Sequence, residues 1–268
     1  MLDTHRRVRQ NHYKQIEQTA YAVFLYRMKE QKYISFPLSN KCLALTTTTA
    51  LGNLAYQVDA GTGVKERRHE LADLLSLDAN RFVFVHQHHS DQIQKVTLSD
   101  LGKGTDSFES GVDVDALYTY EKNVPLCIFH ADCVPIFFID ETTNLVGIIH
   151  AGFKGTLIHV AYKSIKKVIE NEKINPNNLK FYIGPYRLPS SFEIDQETKQ
   201  KIIDSGLEEA IKDNRFDNGF ANVLDLRKLG IKDSQISFSN LDTFSDDRFY
   251  SAYQKTPVGR LVSLIVLK

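Results

Sequence analysis

Most apolar residues of the chain fall into short runs separated by polar turns, and such runs predict strands rather than long helices. The clearest are "VPIFFID" and "LVGIIHA", which stand on either side of the turn-forming "DETTN". "RFVFVHQHH" alternates as a strand does. The other predicted strands are "YISFPL", "CLALTTTT", "NLAYQV", "DALYTY", "LCIFHA" and "KFYIG", followed by a strand-rich C-terminal end.

Fewer segments carry apolar residues at helical spacing. In "TLIHVAYKSIKKVIENEK", Leu157, Ala161, Ile165 and Val168 form one apolar stripe. Further helices are predicted for "VKERRHELADLLSL", "DQETKQKIIDSG", "VLDLRKLG" and residues 11–31. Many short strands with few helices between them favour an α+β fold over regular βαβ alternation. Because no linker divides the chain, we predict a single domain.

Composition and charge restrict the class of protein. The chain has 268 residues, with 33 Lys and Arg residues against 33 Asp and Glu residues. This balance offers no basic surface, so we expect no nucleic-acid partner. Apolar runs such as "RLVSLIVL" are too short to cross a bilayer, and the polar N-terminus lacks the apolar stretch of a secretory signal. We expect a cytoplasmic monomer with no membrane partner.

The turn at residues 141–144 brings two reactive side chains together. If the flanking strands pair as an antiparallel hairpin about this turn, position 133 lies opposite position 152. Cys133 then approaches His150 at the open end of the hairpin. A thiolate and an imidazole are two of the three protein ligands that a catalytic zinc requires.

The stretch "VHQHH" holds three histidines, one of which is a candidate for the third ligand. On a strand, His86 and His88 share a face with phenylalanines, whereas His89 lies on the other face at the strand end. A strand-end histidine is better placed to face a shared cleft, so we predict that His89 joins Cys133 and His150. The alternative is that all three histidines are exposed or hydrogen-bonded. The cysteine would then be a small buried apolar residue, as is usual where cysteines are few and unpaired.

The segment "HAGFKGTLIHV" follows the second hairpin strand. Gly152 and Gly155 allow a tight turn, and Thr156 is predicted to cap the helix that follows. Unpaired N–H groups at that helix start, with Lys154 beside them, would form an anion site. The alternative is a plain strand–turn–helix connection with a solvated lysine.

The order and spacing of several motifs resemble the laccase-domain family, also known as multicopper polyphenol oxidase and peptidoglycan editing factor. The motifs are "VHQHHSDQIQKV", "DVDALYT", "HADCVPIFFID", "HAGFKGTL", "YIGPYRLPSSFEID" and "FYSAYQKTPVGRLVSLI". The likeness runs from about Lys41 to the C-terminus. It implies a single-domain four-layer α/β/β/α sandwich over residues 33–268, preceded by an N-terminal helical extension at residues 1–32.

The resemblance also implies site residues. The metal ligands fall on His89, Cys133 and His150. The catalytic residues, expected to act by orienting ligands or the base, fall on Gln87 and Asp132. Contacts to substrate or phosphate fall on Asn53 and Lys154, and we add Arg260 as a further candidate for the anion.

This chain departs from the family pattern at three places. Phe153 and Lys154 stand where the family has Trp-Arg, and residues 190–193 read Ser-Ser-Phe-Glu instead of Cys-Cys-Tyr-Glu. Tyr253 and Gln254 stand where the family has paired arginines. We expect this loss of charge to weaken anion binding, because lysine cannot make the bidentate contact of arginine.

The activity implied by the resemblance is zinc-dependent phosphorolysis of purine nucleosides to free base and ribose 1-phosphate. Expected substrates are adenosine, inosine, guanosine and methylthioadenosine, with phosphate as partner and adenosine deamination as a second activity. One alternative is a polyphenol oxidase with Cu²⁺ in place of Zn²⁺. The other is a catalytically weakened protein related to the cell wall, a peptidoglycan editing factor.

Overall fold

The computed structural model describes residues 30–58, 62–254 and 258–268. The predicted extension at residues 1–32 lies outside these ranges except for its last three residues. The strands within them are β1 Tyr33–Phe36, β2 Cys42–Thr47, β3 Val83–Phe84, β4 Ile93–Lys95, β5 Ala116–Thr119, β6 Leu126–His130, β7 Val134–Asp140, β8 Leu145–Ala151, β9 Leu179–Ile183, β10 Ile211–Lys212, β11 Arg215–Phe216, β12 Ile236–Phe238 and β13 Leu261–Leu267. The α-helices are α1 Val64–Leu75, α2 Phe153–Leu157, α3 Val160–Glu172, α4 Gln196–Asp204 and α5 Asn218–Arg227.

Two mixed sheets form the centre of the fold. The five-stranded sheet has the order β1-β2-β13-β6-β3, and the six-stranded sheet has the order β12-β9-β7-β8-β5-β4. Most neighbouring strands run antiparallel, while β3, β4 and β12 pair in parallel with β6, β5 and β9. The short strands β10 and β11 form a separate hairpin.

Apolar side chains fill three layers between and outside the sheets. In β7, Phe137 and Ile139 face the space between the sheets, whereas Ile136 and Phe138 face helices α3 and α5. On the far side, Leu71 of α1 packs against the outer face of the five-stranded sheet. Fully burying such a side chain contributes roughly 1.5–3 kcal/mol. The order helix, sheet, sheet, helix confirms the predicted α+β class and four-layer sandwich.

The central hairpin has the predicted register. Strand β7 ends at Asp140 and β8 begins at Leu145, so the turn occupies residues 141–144. Val134 pairs with Ala151, which places position 133 opposite position 152. The sequence therefore predicted both the turn and the approach of Cys133 to His150.

Two strand predictions were wrong, one because no strand forms and one in its extent. Residues 53–58 form no strand, because the Asn53 side chain hydrogen-bonds the backbone of Ala55 and turns the chain. The strand predicted over residues 81–89 ends at Phe84. Beyond it, the backbone N–H of His86 donates to the Val112 carbonyl at 2.6 Å, so the chain leaves the sheet.

The helix predicted over residues 156–173 is two helices. Helix α2 begins at Phe153 with Gly152 as its N-cap, so the prediction that Thr156 caps the helix was wrong. The break falls at His159, whose φ is 63° and whose Nδ1 lies 2.8 Å from the Asp225 carboxylate. From Ala161 onward the predicted apolar stripe is buried in the core. None of the described helices has the length and apolar composition needed to cross a membrane.

Candidate metal centre

Three potential metal ligands converge where the two sheets meet. His150 is on β8 of the six-stranded sheet, and Cys133 lies in the turn between β6 of one sheet and β7 of the other. His89 lies five residues beyond β3 of the five-stranded sheet. One nitrogen of each imidazole and the Cys133 sulfur lie within 4.8 Å of one another. The structure thus brings together the three residues predicted as ligands.

Asp115, to which the sequence analysis gave no role, organises this cluster. Its side chain is fully buried, and its Oδ1 lies 2.8 Å from Nδ1 of His150. The same oxygen accepts the backbone N–H of His89 at 3.0 Å, and Oδ2 accepts the N–H and hydroxyl of Ser90. A carboxylate on one ring nitrogen fixes the tautomer and leaves Nε2 of His150 available to a metal. The motif "DVDALYT", with Asp115 directly before β5, was the available signal.

Gln87 and the local backbone place His89. The Gln87 amide donates to the Phe129 carbonyl at 2.6 Å and accepts from the Phe129 N–H at 2.8 Å. This side chain thereby replaces the strand pairing that ended at Phe84. His89 then adopts φ of 65°, a conformation that non-glycine residues rarely take. The prediction of His89 was reached through strand alternation, but the residue is held by a left-handed turn and by Asp115.

Cys133 and His150 stabilise each other in their charged forms. Burial would raise the pKa of the Cys133 thiol, but the charge and hydrogen bonds of His150 and His89 lower it to about 6. Burial would lower the pKa of His150, but the Cys133 thiolate and Asp115 raise it to about 9. Burial likewise opposes the charge of Asp115, yet His150 and Ser90 lower its pKa to about 2. The protein groups alone therefore favour the thiolate, which is the form that binds metals.

The cluster fits a metal ion in space and in chemistry. A Cβ at Gly152 would lie 2.8 Å from Nε2 of His89 and 3.0 Å from Sγ of Cys133, so a glycine keeps the centre open. Two imidazoles and one thiolate are a donor set for zinc with a fourth position left for a ligand. The same donors bind Cu²⁺ tightly, because copper stands above zinc in affinity for such sites.

A cavity of about 260 Å³ opens beside His89 and Cys133. This volume is near the lower end of small-molecule sites. Its other walls include three rings, two cations and one amide, from Phe153, Phe192, Tyr253, Lys154, Arg187 and Asn218. The Asn218 amide donates to the Ala151 carbonyl, which identifies the Oδ1 atom. That buried oxygen has no partner among the described residues, so it can accept a hydrogen bond from a ligand.

Asp132 also lines this cavity, but protein donors occupy its carboxylate. Oδ1 accepts the Thr243 hydroxyl at 2.7 Å, and Oδ2 accepts the Ser251 hydroxyl at 2.8 Å and the Ala252 N–H at 2.7 Å. Asp132 has φ of 79°. It therefore ties the segment from Thr243 to Ala252 to the turn that carries Cys133.

Of the three residues predicted to contact substrate or phosphate, only Lys154 lines this cavity. Asn53 accepts the backbone N–H of Arg260 at 2.9 Å, and the Arg260 guanidinium donates to the Gly259 carbonyl. Neither Asn53 nor Arg260 lines the cavity. The anion site predicted at the start of a long helix is also altered, because the helix that begins after Gly152 is α2, which has only five residues. Arg187 and Asn218 line the cavity although the sequence analysis gave them no role.

His86 and His88 lie apart from the cluster, as predicted. Nδ1 of His86 is 3.4 Å and Nδ1 of His88 is 3.3 Å from Oδ1 of Asp113. The His86 ring also packs edge-on against Phe108. These two histidines and Asp113 form a separate group.

Known proteins share both the sequence and the fold. The profile described as multi-copper polyphenol oxidoreductase laccase matches residues 46–268. The chain is 32% identical over 220 residues to the purine nucleoside phosphorylase YlmD of Bacillus subtilis, covering 78% of this chain and 79% of that protein.

Among solved structures, the hypothetical protein YfiH of Bacillus licheniformis matches with a TM-score of 0.81 and 30% identity, covering 89% of this chain and 97% of that one. YlmD of Geobacillus stearothermophilus matches with a TM-score of 0.77 and 29% identity, covering 87% and 94%. This chain belongs to the multi-copper polyphenol oxidoreductase laccase family.

Proposed function

We propose that this chain is a zinc-dependent purine nucleoside phosphorylase. The observation that carries the proposal is the His89–Cys133–His150 cluster beside a cavity that combines aromatic walls with two cations, neither of which has an ion-pair partner among the described residues. The name carried by the relative from Bacillus subtilis supports the same reaction class. The cytoplasmic location and the monomeric state stay predictions.

The aromatic wall suits a purine base. Phe153 and Phe192 line the cavity and pack with Phe216, with ring centroids 5.8 Å and 5.7 Å from that buried ring. Aromatic faces bind planar bases by stacking, and this contact tolerates changes in the base. The unpartnered Oδ1 of Asn218 is available to a hydroxyl or N–H group of the nucleoside.

The reaction also requires an oriented phosphate anion, and the cations of the cavity wall can bind it. Phosphorolysis forms a bond from a phosphate oxygen to C1′ as the bond from C1′ to the base breaks, through an oxocarbenium-like transition state. Lys154 lines the cavity and has no ion-pair partner among the described residues. Holding phosphate beside the nucleoside replaces an encounter in solution by a prearranged contact.

His89, Cys133 and His150 would hold the zinc, and Asp115 and Gln87 would orient the two histidines. Bound zinc supplies a Lewis acid with one open coordination position. The contacts of Asp132 support a positioning role in this function, because its carboxylate already accepts three protein hydrogen bonds. Adenosine deamination is proposed as a second activity of the same centre.

The deciding experiment compares product formation with and without inorganic phosphate. Purified, zinc-loaded protein is incubated with adenosine or inosine, and base, nucleoside and ribose 1-phosphate are separated by chromatography. We expect free base and ribose 1-phosphate only when phosphate is present. Equal release of base in both conditions would mean hydrolysis instead, and conversion of adenosine to inosine alone would mean that deamination dominates.

Two controls separate the alternatives. Copper-loaded protein incubated with phenols and oxygen should give no oxidised product if the phosphorylase is the native activity. Cys133→Ser should abolish nucleoside cleavage. Oxidation of phenols without nucleoside cleavage would favour the oxidase, and absence of both activities would favour the catalytically weakened cell-wall protein.

A further inference from the structure

We propose that Arg187 is an anion-binding residue of the cavity and that its guanidinium, together with Lys154, binds the phosphate in the reaction proposed above. The proposal rests on that function for the identity of the anion. Arg187 lines the cavity together with His89, Cys133 and Lys154, so a small anion bound there lies beside the metal cluster. The resemblance to the family does not point to this position.

The guanidinium of Arg187 is held in a fixed plane. Its Nε donates to the Ser191 carbonyl at 2.8 Å, and Nη2 donates to the same oxygen. The guanidinium carbon lies 4.1 Å from the centroid of the Tyr253 ring and 4.7 Å from that of Phe192. The backbone N–H of Arg187 donates to the Asp132 carbonyl at 3.1 Å, which joins it to the turn that carries Cys133. An arginine fixed in this way loses little entropy on binding an oxyanion.

The positive charge of Arg187 is not neutralised by the described residues. Of its five N–H donors, two point at the Ser191 carbonyl, and no described carboxylate forms an ion pair with it. The Asp242 carboxylate accepts hydrogen bonds from the Leu188 N–H and from the Ser191 and Ser245 hydroxyls, and it does not pair with Arg187. The remaining donors suit the bidentate contact that guanidinium makes with phosphate.

A second arginine of this chain shows what a purely structural role looks like. Arg68 also stacks on aromatic rings, at 4.0 Å from Phe84 and 4.5 Å from Tyr56. Its Nε and Nη1, however, donate to three backbone carbonyls, and the residue is 3% exposed, so that even Nη2, which has no partner among the described residues, is closed off from a ligand. Arg187 has similar aromatic contacts but meets one carbonyl and borders a cavity. The difference marks Arg187 as a residue prepared for a ligand.

The position of Tyr253 gives the proposal a sharper form. Tyr253 stands where the family pattern has an arginine, and its ring now supports the Arg187 guanidinium. In this chain the positive charge beside the Tyr253 ring is therefore carried by Arg187 and not by residue 253. We therefore expect that adding Tyr253→Arg to the Arg187→Gln variant restores phosphate binding.

The experiment measures the affinity of zinc-loaded protein for radiolabelled inorganic phosphate by equilibrium dialysis. Arg187→Gln should weaken phosphate binding by about 10- to 150-fold, the range of a charge-assisted hydrogen bond. Lys154→Ala should weaken it within the same range, and Arg187→Lys by about tenfold, since lysine keeps the charge but loses the planar contact. Arg227→Gln is the matched control, because it removes one charge from an exposed pair with Asp233 and should change binding less than about twofold.

Inosine affinity, measured separately, should stay unchanged in the Arg187 variants. Phosphate affinity within twofold of the wild type in Arg187→Lys and Arg187→Gln overturns the proposal, and so does a loss of inosine affinity with phosphate binding retained. If Arg187→Gln does not fold, Arg187→Lys decides alone. Dialysis needs no turnover, so phosphate binding through Arg187 without nucleoside cleavage would contradict the phosphorylase function and leave the anion site standing.

Discussion

Two groups of histidines leave the same short stretch of chain and differ in their surroundings. His86 and His88 both contact Asp113. The exposed fraction of the side chain is 36% for His86, 52% for His88 and 72% for Asp113. His89 instead joins His150, which is 1% exposed and bonded to the fully buried Asp115. Both groups combine two imidazoles with a carboxylate close by.

What separates them is the number of contacts that fix each group before any ligand arrives. Asp115 accepts from the backbone on both sides of His89 and from the His150 ring, so its position is determined by the fold. Asp113 meets the exposed histidines at longer distances, where water and salt screen the contact. Residue type alone therefore does not make a metal site. Orientation of the donors by the buried Asp115 and His150 does, even though His89 itself is exposed.

The strongest way to break this comparison is to remove the sulfur ligand. Cys133→Ser should lose stoichiometric zinc, because a serine hydroxyl stays protonated and cannot replace a thiolate. Elemental analysis of protein purified without chelator measures the effect. The buried Cys42→Ala is the control and should keep one zinc per chain. A full zinc complement in Cys133→Ser would remove this residue from the site.

The next effect separates the two aspartates. Asp115→Asn should weaken zinc affinity by about 10- to 100-fold, since the carboxylate sets the orientation of both histidines. Asp113→Asn should leave it unchanged. Competition with a chromophoric chelator gives both affinities. Equal affinities in the two variants would mean that burial of Asp115 contributes nothing to the metal centre.

The metal-free protein offers a test of the electrostatics. Because the pKa of Cys133 is lowered to about 6, its thiolate is present above pH 6 and is lost as the pH falls through that value. Alkylation of Cys133 by iodoacetamide should be constant above pH 7 and fall about tenfold per pH unit below pH 6. Cys42 and Cys127 serve as internal controls, since burial raises the pKa of both thiols. Peptide mass spectrometry resolves the three sites, and a midpoint near pH 9 for Cys133 would contradict the proposed pairing.

The smallest effects are expected for the two histidines that contact Asp113. His86→Ala and His88→Ala should each keep one zinc per chain and change zinc affinity less than about twofold, because both rings contact Asp113 rather than the cluster. The same chelator competition applies. A tenfold loss in either variant would place the exposed histidines in the metal centre after all.

The extent of prediction from sequence followed the range of the interactions involved. The hairpin around residues 141–144 was predictable because its turn and its two apolar strands are adjacent in the chain. The break at His159 was not, since it depends on Asp225, 66 residues away. Asp115 escaped notice for the same reason, because its partner His150 is 35 residues away.

Arg187 shows a different limit of sequence reasoning. Its proposed role follows from the Tyr253 and Phe192 rings lying within 4.7 Å of its guanidinium carbon, and neither spacing nor composition indicates that arrangement. His89 was predicted from strand alternation, but the strand ends five residues earlier, so alternation does not determine the position of this residue. Motif order located the site, while its supporting contacts required the three-dimensional structure.

The cluster takes its residues from both sheets, with His89 after a strand of one, His150 on a strand of the other, and Cys133 in the turn that joins them. An ion bound there is a cross-link between the two halves of the sandwich. A ligand that binds only the folded chain stabilises it by about 4 kcal/mol at a thousandfold excess over its Kd. Binding of the proposed zinc would thereby couple the survival of the chain in a cell to metal supply, because a cell short of zinc would hold more unfolded protein for its proteases to remove.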